Sequence, residues 1–193
     1  AAPRKNLQTS GRETGSGNRV LIRKSPKANV LQNILDLENI NFHLKSYLAH
    51  DQVLDAANFL IRSYKLEHEN FAGFVFRDEL SPTSLLLTAE GALGEPQTVK
   101  IPRNLFDFEL PTVLNLIAHE MLHVRQKASG NVVEDKNERE FQAYYEMLFH
   151  KEFPEIPDAS DFLRKQFAQK ALEYYRRMSE GSELQQKYAA EKA

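Results

Sequence analysis

Cysteine is missing from all 193 residues of this chain. Disulfides, thiolate catalysis and every cysteine-based zinc site are thereby excluded, so any metal must be held by histidine and carboxylate. The absence favours no compartment, because a chain without thiols tolerates reducing and oxidising surroundings alike. No apolar run approaches the roughly 18–20 residues of a membrane span. The first residues also lack a signal-peptide pattern. Charge of one sign is lacking too: a formal net charge of −2 leaves no electrostatic footprint for nucleic acid or an anionic membrane surface.

Large apolar residues are scarce in one place. Residues 1–19, AAPRKNLQTSGRETGSGNR, contain only Leu7. Such a segment buries too little surface to offset its ordering entropy, which predicts a flexible tail or linker. The start without methionine predicts a processed chain or a piece of a longer parent. Elsewhere, 41% hydrophobic and 27% charged residues match an ordinary globular protein with a sizeable core. One domain over residues 20–180 and a polar, fraying tail over 181–193 are expected.

Helices come first. Ser25 and Pro26 read as an N-cap with proline at the first helical position, and Val30, Leu31, Ile34, Leu35, Leu37 and Leu44 keep a helical period. A second helix, DQVLDAANFLIRSYKL, is expected with Asp51 as its cap. FAGFVFRD, TSLLLTAEG and QTVKIPRNLF then read as three strands, mostly antiparallel because their connections are too short for helical crossovers. Three more helices follow: LPTVLNLIAHEMLHVRQKASGN, stopped at Gly130; EDKNEREFQAYYEMLFHKEFP; and DASDFLRKQFAQKALEYYRRMSEG, capped by Asp158 and stopped at Gly181. Helices, a small sheet, then helices make an α+β layout.

Chemistry concentrates in HEMLH. Residues four apart on a helix lie only about 40° off one line, so His119 and His123 project side by side and can converge on one ion. Their nitrogens suit the roughly 2.0–2.1 Å of a zinc–nitrogen bond. Glu120 lies about 100° round the helix, placed to take a proton from water rather than to share the ion. The flanking Ile117, Ala118, Met121, Leu122 and Val124 predict a buried helix, where unpaired imidazoles and a carboxylate would be costly.

A catalytic zinc has three protein ligands and one open position. No third histidine follows closely, and the next helix instead offers Glu134, Glu138, Glu140 and Glu146 as candidates for the third ligand. Phe141, Tyr144, Tyr145, Leu148 and Phe149 mark its inward stripe, which Glu140 borders. Glu138 lies about 200° away, beside Lys136 and Arg139. Glu140 is the choice and Glu138 its main rival.

HEMLH followed 17 residues later by EFQAY resembles the gluzincin zinc metallopeptidases, over roughly residues 97–150. The Glu140–Ala143 pattern is similar to that of ImmA-type repressor-cleaving proteases, prenyl-protein proteases and small peptidase domains of secreted bacterial toxins and effectors. The resemblance implies a zincin-like fold and a Zn2+ ion on His119, His123 and Glu140, with Glu120 as general base. It implies a protein or peptide substrate taken up as an added strand along QTVKIPRNLF. It further implies secretion or delivery into another cell, with an inhibitor or a larger parent protein as partner. Many of those families carry Asp or Asn where Tyr144 stands. Tyr144 could instead donate a hydrogen bond to a developing oxyanion, a role also open to His150, or be a core aromatic like Tyr145. Two other classes stay open: an inactive or structural zinc-binding module, and a zinc hydrolase acting on a non-peptide amide.

Overall fold

The computed structural model describes the backbone of residues 26–191 and the side chains of residues 36–191. The chain divides into two compact units, residues 1–38 and 39–193. Of the first, only the opening of helix α1 (Pro26–Leu48) is described. The expected tail over 1–19, the Ser25 cap and the side chains of Val30, Leu31, Ile34 and Leu35 lie outside the described residues.

The second unit carries the end of α1, α2 (Val53–Ser63), β1 (Phe71–Phe76), β2 (Thr88–Glu90) and β3 (Gln97–Ile101). After a 3-10 turn (Leu105–Asp107) come α3 (Leu110–Gln126), α4 (Lys136–Phe149), α5 (Asp161–Arg177) and α6 (Glu183–Lys187). The layout is α+β. The sheet, however, is mixed rather than mostly antiparallel: its order is β1-β3-β2, with β1 parallel and β2 antiparallel to β3. Short connections favour antiparallel pairing only between strands that are neighbours, and β1 and β2 are not. Residues 77–87 carry the chain away from β1, so that β3 enters between the other two strands. QTVKI is therefore the central strand and not an edge.

β3 alternates strictly, burying Gln97, Val99 and Ile101. The main core forms where this face meets α2 and α3, through Leu60, Leu66, Leu114, Ile117 and Met121. Each fully buried aliphatic side chain contributes about 1.5–3 kcal/mol, so α3 is held in place by apolar packing. A second cluster joins α4 to α5 and the chain end through Phe141, Ala171, Tyr175, Met178 and Tyr188. Of the stripe expected on α4, Phe141 is buried and Phe149 is 55% exposed; the helix buries Ala143, Glu146 and Met147 instead.

Several boundaries differ from expectation. Gln52, not Asp51, precedes α2, because Asp51 adopts a positive φ of 56°. Ser160, not Asp158, caps α5 by accepting from the Leu163 N–H, while Asp158 pairs with Arg164. Gly130 and Gly181 fall beyond helices that already end at Gln126 and Arg177. The chain end does not simply fray: Ser182 caps α6 by accepting from the Gln185 N–H, and Tyr188 is buried.

One glycine is forced. At the β2–β3 turn Gly91 has φ +152°, and a Cβ there would lie 2.5 Å from Gln97 Nε2. The buried Gln97 amide donates to the Ala92 and Glu95 carbonyls and so ties the turn together.

Candidate metal centre

Helix α3 begins with Pro111 in its first turn and is buried over most of its circumference, His119, Glu120 and His123 included. Burial, a four-residue spacing and α4 packed alongside bring three donor atoms together. His119 Nε2 and His123 Nε2 are 3.1 Å apart, and Glu140 Oε2 lies 3.5 Å from the first and 3.6 Å from the second. Bonds of 2.0–2.1 Å to a tetrahedral ion require donors about 3.3–3.4 Å apart. The triangle thus has the size of one tetrahedral face, and these three residues could hold a metal ion.

The ring orientations are set from behind. Gln126 Nε2 donates to the Arg139 carbonyl and to Gln142 Oε1, at 3.1 and 2.8 Å. Its Oε1 must then face His123 Nδ1, 2.8 Å away, so Nδ1 carries a proton in either charge state and Nε2 is the nitrogen left for a ligand. The chain continues. Gln142 Nε2 donates to the Tyr188 oxygen at 2.5 Å, Tyr188 donates to Glu138 Oε1 at 2.6 Å, and Lys187 meets the same oxygen at 2.8 Å. A carboxylate on α4 and the end of the chain therefore orient an imidazole on α3 through two amides. His119 is supported differently, with the buried Met147 sulfur 3.1 Å from Nδ1.

Charge follows this geometry. Burial opposes the charged form of His123, but the Glu140 carboxylate beside it and the field of Glu120 outweigh it and raise its pKa. Burial likewise acts against the Glu140 anion, yet the two imidazoles hold its carboxyl far below the ordinary range. Glu120 is displaced the other way: burial raises its pKa, against both imidazoles and the Ala89 N–H. That N–H donates to Glu120 Oε2 at 2.7 Å, and Lys127 Nζ donates to the Ala89 carbonyl at 3.0 Å.

These groups line a cleft of about 370 Å³ together with Leu86, Leu87, Tyr144, Tyr174, Lys136 and Arg139. The Tyr144 ring meets His119 edge-on at 4.7 Å and stacks on Tyr174 at 5.9 Å. Burial and the Glu140 charge push its phenol up to about 12, so it stays protonated.

The structure brings together His119, His123, Glu120, Glu140 and Tyr144. It separates the others. Glu138 turns to Lys187 and Tyr188, and Glu146 caps the end of α4 by accepting from the N–H groups of Lys151, Glu152 and Phe153. Glu134 is exposed, and His150 contacts Asn115 outside the cleft. Sequence reasoning missed Gln126, Gln142, Met147 and Tyr174. Gln126 stands three residues after His123, a spacing that places it on the same face. Tyr174 carries no such signal, since only the packing of α5 on α4 brings it in.

Comparison with protein-family models, curated proteins and solved structures finds no match to this chain.

Proposed function

We propose that this chain is a zinc-dependent endopeptidase of gluzincin type, with His119, His123 and Glu140 as ligands and Glu120 as general base. The observation that carries it is the donor triangle of tetrahedral size sharing a cleft with a buried carboxylate. A zinc ion held there supplies Lewis acidity and lowers the pKa of a bound water towards ~7. Glu120 takes the proton of the attacking water and returns it to the leaving amine. Its raised pKa suits a group that must do both. The Ala89 N–H anchors one carboxylate oxygen and leaves the other for the proton. Tyr144, kept protonated, donates to the carbonyl oxygen as charge develops on it.

The substrate strand runs beside β2, the outer strand at the cleft. At Ala89 both backbone groups are already taken. Leu87, whose N–H and carbonyl make no hydrogen bond among the described residues, is the next pairing position, and at 4% exposure it must be uncovered before a strand can pair there. A cleft bordered by extended backbone favours a peptide over a small amide. A purely structural metal site is less well supported, because it has no use for a buried Glu120.

The test is metal analysis of protein purified without chelators, paired with mass spectrometry of a digested peptide mixture. About one equivalent of zinc in both the native chain and Glu120→Gln, with new termini from the native chain alone, is expected. A protein empty of transition metal, or equal cleavage by Glu120→Gln, overturns the proposal.

A further inference from the structure

Lys127, Lys136 and Arg139 all line the cleft, and none forms an ion pair with a carboxylate among the described residues. The end of α3 and the first turn of α4 bring them together. Lys127 follows the last residue of α3, while Lys136 and Arg139 stand three apart on one face of α4. They are close enough that Arg139 adds to burial in lowering the Lys127 pKa. That mutual repulsion is tolerated although acids stand near. Glu138 is committed to Lys187 and Tyr188, and Asp135 accepts from the Glu138 N–H. Arg139 uses Nη1 to bind the Val133 and Glu134 carbonyls, and the rest of its guanidinium has no partner among the described residues. The Lys136 side chain makes no hydrogen bond among the described residues and is exposed. Three cations face the cleft against two carboxylates, Glu120 and Glu140. A divalent ion on the ligand triangle would tip the balance further towards positive.

We propose that Lys127, Lys136 and Arg139 form a carboxylate-recognition subsite, which directs the enzyme to peptides with an anionic group next to the scissile bond. The inference rests on the peptidase reading for what is cleaved, but not for what is bound. The anion is an Asp or Glu side chain, in keeping with an endopeptidase, or a free C-terminal carboxylate, which would make the enzyme a carboxypeptidase; the guanidinium of Arg139 suits either through paired N–H donors. Leu86, exposed on the β2 side of the cleft, suits an apolar neighbour in the same peptide.

The test is binding of fluorescent peptides to zinc-loaded Glu120→Gln protein, with cleavage by the native chain measured in parallel. Peptides identical except for Glu against Gln, each with an amidated or a free C-terminus, separate the two sources of the carboxylate. The anionic member of a pair should bind about tenfold more tightly, and the preference should shrink as salt rises. It should also fall in Lys136→Glu, where no fold contact is lost, and more steeply in Arg139→Gln. A preference for Glu in amidated peptides assigns an internal acidic residue; a preference for the free terminus alone assigns the terminal carboxylate. Equal binding of charged and neutral peptides, or a preference unchanged by Lys136→Glu and Arg139→Gln, overturns the subsite. A preference for the anion without any cleavage keeps the subsite and removes the peptidase reading.

Discussion

Gln126 Oε1 accepts the Nδ1 proton of His123 at 2.8 Å, which leaves Nε2 as the nitrogen turned towards His119 and Glu140. Such a partner fixes both the tautomer and the angle of a ligating ring. Gln126→Leu is expected to lower zinc affinity about 10–100-fold. Competition with a coloured chelator measures this, and circular dichroism checks that α3 persists. Unchanged affinity in a folded variant would mean that the hydrogen bond does not orient the ligand.

The same chain of bonds reaches Tyr188, 62 positions beyond Gln126 in the sequence. Tyr188→Phe removes the hydroxyl between Gln142 and Glu138 but keeps the buried ring. A hydrogen bond is worth about 0.5–1.5 kcal/mol, so a loss of about 2–10-fold in zinc affinity is expected, less than for Gln126→Leu. A loss equal to or greater than that of Gln126→Leu would contradict a relay that weakens with distance.

Tyr144→Phe separates a chemical role from a packing one. Loss of a donor to a developing oxyanion is expected to lower kcat about 10²–10³-fold, with zinc content and KM nearly unchanged. If kcat holds while thermal stability falls, Tyr144 is only a wall of the cleft.

In the metal-free protein the pairing of His123 with Glu140 predicts how stability depends on pH. The His123 pKa is raised from 6.5, so its contribution is complete below that value and fades as pH climbs through the higher folded value. Glu140 is lowered from 4.5, so its contribution is complete above 4.5 and fades as pH falls towards its folded value. Together they favour the metal-free fold most between 4.5 and 6.5. Tm across pH in the presence of chelator measures this. Zinc must displace the His123 proton, so its affinity should rise with pH and its binding should release protons in calorimetry.

How much of this was legible beforehand depends on distance along the chain. HEMLH could be read because one turn of helix fixes its geometry, whereas Glu140 was reached through an apolar stripe that the structure keeps only in part, at Phe141. Glu138 is turned away from the two histidines by contacts with Lys187 and Tyr188, some 50 residues away, which no local period encodes. The sheet was misjudged for a similar reason. Strand content shows in composition, but the neighbour of β1 is decided by where residues 77–87 turn. The caps failed at the scale of a single residue: both Asp158 and Ser160 are good caps, and only the backbone chooses between them.

Gly91→Ala is expected to destabilise the fold by about 1–3 kcal/mol, combining positive-φ strain with a clash against Gln97. Chemical denaturation measures it. A neutral result would mean that the β2–β3 turn relaxes without disturbing the Gln97 amide.

That amide has a wider consequence. Gln97 Oε1 also accepts from Lys127 Nζ at 3.0 Å, and the same ammonium holds the Ala89 carbonyl. One hidden side chain thus rivets the hairpin, the strand bordering the cleft and a basic group at the mouth to a common point. The aperture and its charge cannot drift independently, so any loosening of that turn should blur which peptides enter before it alters how fast they react.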